Sequence, residues 1–103
     1  MNNKYLDKMS RVAHAANTIR KSIKEQEQWN KSLRDQITPI WGDKSKEGVV
    51  ADLQEALSLG RTFVRENQTI LHELKKALRH YNKRYDREVN AAVRRSRVHA
   101  VAQ

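Results

Sequence analysis

The chain has 103 residues, no cysteine and a formal net charge of +9. This length allows one domain at most, and the absence of cysteine excludes disulfide bonds. Leu, Ile, Val and Phe total only 22 residues, enough for a seam between helices but not for a thick core. The amino-terminal residues contain no apolar signal-peptide region, and no apolar run approaches the roughly 20 residues of a membrane span. We therefore expect a cytoplasmic protein that would need another signal for export.

The positive charge is concentrated near the carboxyl end. Residues 79–103 hold seven basic and two acidic residues, more than half of the net excess. The basic tail is defined by four arginines: Arg87, Arg94, Arg95 and Arg97. Tyr81 and Tyr85 lie just before it, so arginine–phosphate contacts and tyrosine–base stacking are one interpretation. The acids Asp86 and Glu88 interrupt the run, which favours a solvated basic helix end instead.

The first predicted helix covers about residues 4–38. Its apolar positions advance by alternating steps of three and four, the spacing of a coiled-coil seam. Gln26 and Asn30 interrupt this seam with polar groups, and the rows beside it are mostly polar. The seam positions are Tyr5, Met9, Val12, Ala16, Ile19, Ile23, Gln26, Asn30, Leu33, Ile37 and Ile40. Such a narrow stripe suits a single partner helix.

A turn is predicted over residues 39–45. Pro39 disfavours helix at the residue before it, and Gly42 can adopt a positive φ without steric cost. Asp43 or Ser45 can accept hydrogen bonds from the amides that open the next helix. Trp41 is expected to plug the open end of the resulting hairpin.

The second predicted helix covers about residues 46–95 and has a wider apolar face. Its seam follows the same rhythm: Val50, Leu53, Leu57, Gly60, Val64, Asn67, Leu71, Leu74, Leu78, Tyr81 and Tyr85. A second apolar row repeats every seven residues: Val49, Ala56, Phe63, Ile70 and Ala77, with Leu59 beside it. One narrow helix cannot cover both rows. We therefore predict that the second row is a partner interface, with Trp29 of the first helix as a further anchor.

These patterns predict an all-α fold, an antiparallel two-helix hairpin forming one domain over residues 1–103. Folding about Trp41 places Tyr5 near residues 77–81, and the segment after about residue 95 is expected to be a loose basic tail. Polar seam residues (Gln26, Asn30 and Asn67) would fix register and partner choice at some cost in stability. The hairpin is expected to assemble into a larger helical bundle with a partner or with a second copy.

No catalytic or cofactor-binding pattern is present. The three glycines are scattered and form no phosphate-binding loop. The four histidines, His14, His72, His80 and His99, do not share a helical turn, so no metal-ligand spacing is found. We expect a protein that is not an enzyme and that binds no cofactor or metal.

The turn carries a resemblance to a known family. A hairpin of about this length with Trp41-Gly42 in its turn resembles the WXG-type helical hairpins of type VII secretion, which carry Trp-x-Gly. The sequence Trp41-Gly42-Asp43 is more similar to the small helical partners of LXG-type toxins of Gram-positive bacteria. The Tyr-x-x-x-Asp/Glu export motif of WXG proteins is not matched, because Asp86 lies five residues after Tyr81 and Glu88 three residues after Tyr85.

The resemblance implies a targeting role. Such a partner would bind the helical amino-terminal domain of the toxin and promote its export. The partner itself would either be exported with the toxin through type VII secretion or stay in the cytoplasm. The alternative from the residues alone is a homodimeric hairpin that binds nucleic acid through Arg87, Arg94, Arg95 and Arg97.

Overall fold

The computed structural model describes residues 4–102, with side chains described for residues 4–98. Helix α1 spans Lys4–Ile37, and helix α2 spans Glu47–Ala102. Two short 3-10 turns lie between them, at Thr38–Ile40 and Lys44–Lys46. The described residues contain no strand, which confirms the all-α prediction. The chain forms two compact units, residues 17–72 (the turn unit) and residues 1–16 with 73–103 (the terminal unit).

The turn forms through local chemistry near Pro39. Helix α1 ends at Ile37, and Pro39 lies in the first 3-10 turn, where its missing N–H is tolerated. The Thr38 hydroxyl donates to the carbonyl oxygen of Arg34 at 3.0 Å. Gly42 has a φ of 83°, the left-handed conformation expected of it. The chain can reverse here because Gly42, the residue that adopts a positive φ, has no Cβ to clash with the backbone.

Asp43 caps the beginning of the second helical segment. Its Oδ1 accepts a hydrogen bond from the Ser45 N–H at 3.0 Å and another from the Ser45 hydroxyl at 2.7 Å. The Asp43 carbonyl oxygen also accepts from the Lys46 N–H at 3.0 Å. Of the two caps that the sequence allowed, Asp43 is therefore the one used.

The core of the turn unit is the predicted seam. Leu33 and Ile37 of α1 form a buried cluster with Val50 and Leu57 of α2. Residues packed against this cluster are Ile40, Leu53 and Ala56. Every predicted seam position of the turn unit is buried or half-buried. The alternating three- and four-residue spacing thus identified the packed face of both helices.

A polar layer crosses this seam at Asn30. The Asn30 side chain is only 4 % exposed and accepts a hydrogen bond from Gln26 Nε2 at 2.9 Å. It lies directly against the backbone of Gly60 on α2, where an added Cβ would overlap Asn30 Oδ1. Because Gly60 has no side chain, a buried amide fits between the two closely packed helices at this point. The third polar seam residue, Asn67, is half-buried and donates from Nδ2 to the Phe63 carbonyl oxygen at 2.8 Å.

The terminal unit is held together around tyrosines. Tyr5 is buried, and its ring centroid lies 6.4 Å from that of Tyr81 on α2, as predicted. The Lys4 ammonium lies 5.0 Å from the Tyr5 centroid, and the Lys8 ammonium lies 5.5 Å from the Tyr81 centroid. Both distances suit cation–π attraction. Tyr81 therefore packs against its own chain, which supports packing over base stacking as its role.

Two expectations differ from the structure. Trp41 does not plug the end of the hairpin, because its side chain is 66 % exposed. Its backbone is extended after the first 3-10 turn, and Ile40 packs against the core instead. Helix α2 also continues to Ala102, whereas a loose tail was expected after about residue 95. No glycine or proline follows Gly60, so nothing in the sequence terminates the helix.

Candidate protein-interaction site

The residues beside the seam form two flanks in the turn unit. A groove is lined by Glu27 and Arg34 of α1 together with Gln54 and Arg61 of α2, so these rows meet on one side of the helix pair. The rows on the other side of each seam must then meet on the opposite side. Trp29 belongs to that opposite row of α1. The α2 row there consists of Val49, Ala56, Phe63 and Ile70.

We call this second side the apolar flank; its apolar residues are Trp29, Val49, Ala56, Leu59, Phe63 and Ile70. Trp29 is 60 % exposed, Phe63 40 % and Ile70 47 %, and Val49 and Leu59 are also exposed. Ala56 is half-buried against the core. Helix α1 presents only Ser22 and Gln36 beside Trp29 in its own row, so it does not cover these side chains. An apolar row of this length on a small protein is characteristic of an interaction surface.

The last predicted member of the row, Ala77, lies in the terminal unit and is half-buried. The other four residues of the α2 row, their neighbour Leu59 and Trp29 all lie in the turn unit, whereas Ala77 lies in the terminal unit.

The apolar flank is bordered by acids. Glu25 of α1 and Asp52 and Glu66 of α2 occupy the outer rows of this side, and all three are exposed. Within residues 17–38 and 49–72, these outer rows contain no lysine or arginine. A helix that packs here would be favoured if its own apolar stripe were bordered by basic residues.

The groove side has the opposite charge. Within residues 17–38 and 51–72, the rows on this side contain a single acid, Glu27. The basic residues in the same rows are Arg20, Lys24, Lys31, Arg34, Arg61 and Arg65. We call this side the basic flank. The basic flank was not predicted from the sequence, although sorting the charges of each helix by their side of the seam would have identified it.

The predicted tail and export residues lie in the terminal unit. Tyr81 and Tyr85 are half-buried on the seam row, and Asp86 and Glu88 are exposed. Four exposed arginines continue along the same helix, Arg87, Arg94, Arg95 and Arg97. Arg87, Arg94 and Arg97 are spaced by seven and three residues, so they share one helical stripe. The structure places these groups on one continuous helix but assigns no ligand to them.

The described residues contain no cluster of three or more His, Asp or Glu side chains that could hold a metal ion. The His99 side chain lies outside the described set. No helix in the part of the chain that the structure describes is long and apolar enough to cross a membrane.

Comparison with known proteins identified no relative. No protein-family model, no curated protein and no solved structure matches the chain. The functional conclusion therefore depends on the two flanks, the turn and the resemblance of the turn motif.

Proposed function

We propose that this protein is a non-enzymatic helical adaptor that binds a helical partner through its apolar flank. The observation that carries the proposal is the exposure of Trp29, Phe63 and Ile70 along one side of a packed helix pair. Large aromatic and aliphatic side chains are the usual anchors of protein interfaces. Here they are already held by helices, so binding requires little ordering of backbone.

The partner that we propose is the helical amino-terminal domain of an LXG-type toxin, with the adaptor promoting its delivery to type VII secretion. Support for this identity comes from the resemblance at Trp41-Gly42-Asp43. In this turn Gly42 supplies the positive φ and Asp43 the helix cap. Trp41 is exposed there, so its side chain is available for contact with another protein.

The first prediction tests the adaptor role by changing the centre of the apolar flank. Phe63→Asp should weaken the complex with a co-expressed LXG amino-terminal domain by about thirtyfold or more, since truncating an interface anchor costs about 2 kcal/mol. Binding is measured by isothermal titration calorimetry with the purified full chain. Circular dichroism should show that the variant stays helical, because Phe63 lies outside the buried cluster.

Thr69→Asp is the matched control for this experiment. Thr69 is exposed on the outer face of α2, so the same charge is introduced beside the apolar flank rather than within it. Binding should change by less than about threefold, as for most surface substitutions outside an interface. If Phe63→Asp unfolds the chain, or if Thr69→Asp weakens binding equally, Phe63 is not an interface anchor. A normal complex with Phe63→Asp overturns the proposed surface.

A second candidate function is nucleic-acid binding through the basic tail. The observation that favours it is the stripe of Arg87, Arg94 and Arg97 on a continuous helix. Three exposed guanidinium groups on one helical face can contact successive phosphates. The packing of Tyr81 against Tyr5 removes one proposed stacking group from this interpretation.

A further inference from the structure

The basic flank contains an open groove between the two helices of the turn unit. Its volume is about 1040 Å³. Its floor consists of the seam residues Ile37, Leu57 and Val64 together with the buried amide of Asn30, and Arg34, Arg61 and Arg65 line its walls. The lining residues run from 27 to 37 on α1, with Thr38 just beyond its end, and from 54 to 65 on α2. At 1.5 Å per residue, each wall is about 16 Å long, or about three turns of helix.

Among the described residues, no carboxylate forms an ion pair with the wall arginines, Arg34, Arg61 and Arg65. Arg65 Nη2 lies 3.4 Å from Thr62 Oγ1. Glu27 is the only acid that lines the groove. The arginines are exposed on both walls, and each guanidinium group can donate two parallel hydrogen bonds to a carboxylate.

We propose that this groove binds an acidic amphipathic helix of another protein, with a narrow apolar stripe on the groove floor and carboxylates beside both walls. The apolar floor favours a helix over a nucleic-acid backbone, because phosphates gain nothing from contact with Ile37, Leu57 and Val64. The length and position of the groove match the site of a third helix packed against a helix pair. Arg34 on one wall and Arg61 and Arg65 on the other would hold the two acidic edges of that helix.

This inference goes beyond the adaptor role because it uses the opposite side of the helix pair. The apolar flank is bordered by Glu25, Asp52 and Glu66, whereas the groove is bordered by arginines. The two sides therefore select partners of opposite charge. An adaptor with both surfaces can hold two different helices at once.

The test uses the full chain and a synthetic three-heptad peptide with Leu along one stripe, Glu beside the stripe and Ala elsewhere. Binding is followed by fluorescence anisotropy of the labelled peptide at increasing salt. The peptide should bind, and the same peptide with Gln in place of Glu should bind at least tenfold more weakly. Affinity for the Glu peptide should fall as salt rises, because exposed carboxylate–arginine contacts are screened.

The variant Arg61→Gln with Arg65→Gln should weaken binding of the Glu peptide by tenfold or more. Arg34→Gln on the other wall gives an independent test of the same groove. The matched control, Lys21→Gln with Lys83→Gln, removes the same charge away from the basic flank and should change affinity less than threefold. Circular dichroism checks that each variant is folded.

Several results would overturn the proposal. One is equal weakening by the lysine control, which would show only a general effect of net charge. A second is no peptide binding together with arginine-dependent binding of duplex DNA, which would make the groove a phosphate site.

A third is self-association in sedimentation that is lost with Arg61→Gln and Arg65→Gln, which would show that a second copy of the chain occupies the groove. A fourth is peptide binding lost with Phe63→Asp but retained in the arginine variants, which would place the peptide on the apolar flank. That result would leave the adaptor proposal intact.

Discussion

At the residue scale, the glycines show how one residue type serves different needs. Gly42 has a positive φ, and a Cβ there would meet no atom within 4 Å, so its role is purely conformational. Gly48 also has open space around it, but its φ is not positive and it lies in the first turn of α2. Of these two glycines, only Gly42 has a backbone conformation that requires glycine.

The second prediction compares the same substitution at these two positions. Gly42→Ala should lower the free energy of unfolding by about 1–2 kcal/mol, because an L-residue is strained in left-handed space. Gly48→Ala should raise it by up to about 1 kcal/mol, because alanine loses less backbone entropy in a helix. Urea unfolding followed by circular dichroism measures both. Equal effects of the two substitutions would contradict the role assigned to Gly42.

Local chemistry explains which turn residues the sequence could predict. Gly42 was predicted, and Asp43 was one of two predicted caps, because a positive φ and a helix cap depend on one residue and its nearest neighbours. The position of the Trp41 side chain depends on the direction in which the turn leaves the helix pair. That direction is a tertiary property, and the expected plug was wrong for this reason.

At the element scale, the two helices are joined by one polar layer within an apolar seam. Gln26 donates to Asn30, and Asn30 lies against Gly60 on the facing helix. A buried amide is costly unless its hydrogen-bonding groups are satisfied, so the layer restricts how the helices can align. Sliding one helix along the other would place Asn30 against a side chain instead of the bare backbone of Gly60.

The third prediction tests this layer with Gly60→Ala. Helix propensity alone favours the alanine by about 1 kcal/mol. However, its Cβ would displace the Asn30 amide, and overpacking of this kind costs about 1–3 kcal/mol in addition to the lost hydrogen bond of about 1 kcal/mol. The net result should be destabilisation of about 1–3 kcal/mol, measured by urea unfolding.

The same substitution should change sign when Asn30 is removed. In an Asn30→Ala background the new Cβ occupies space that the amide has left, so Gly60→Ala should become neutral or stabilising by up to about 1 kcal/mol. This double-mutant cycle separates the steric effect from helix propensity. Destabilisation of the same size in both backgrounds would mean that Gly60 serves some purpose other than admitting Asn30.

Periodicity explains what the sequence could predict at this scale. The seam was identified correctly in both helices, because burial in a helix pair repeats with the heptad. The contact between Asn30 and Gly60 was not predicted, since it depends on the alignment of one helix along the other. The second helix was predicted to end at about residue 95, but α2 continues to Ala102. Alanine and arginine, which are frequent in this segment, favour helix even where no partner helix packs against them.

At the scale of the whole molecule, the chain combines surfaces of different chemistry. The turn unit has an apolar flank bordered by acids and a basic flank with an open groove. The terminal unit has the exposed arginines of the basic tail. The sequence predicted the apolar row and the tail because each lies on a single helix. The groove was missed because its walls come from two helices, and its charge becomes apparent only when the charges of both helices are sorted by their side of the seam.

The fourth prediction separates the adaptor function from nucleic-acid binding by changing the tail. On the adaptor proposal, replacing Arg94, Arg95 and Arg97 by Gln should leave affinity for the toxin domain within about threefold of normal, since the proposed interface is apolar. The same complex should resist increasing salt, because burial of apolar surface is little affected by ionic strength. Calorimetry at two salt concentrations measures both properties.

The same triple variant gives a different result if the tail binds nucleic acid. Duplex binding should then weaken, and the slope of log affinity against log salt should flatten by about 0.9 for each lost phosphate contact. The matched control replaces Lys21, Lys44 and Lys76 by Gln, which removes the same charge outside the tail and should leave that slope nearly unchanged. Loss of secretion from the native host with the toxin complex intact would instead identify the arginines as part of an export signal. Tight, arginine-dependent duplex binding at physiological salt, with no binding of the toxin domain, would contradict the adaptor function and favour the nucleic-acid alternative.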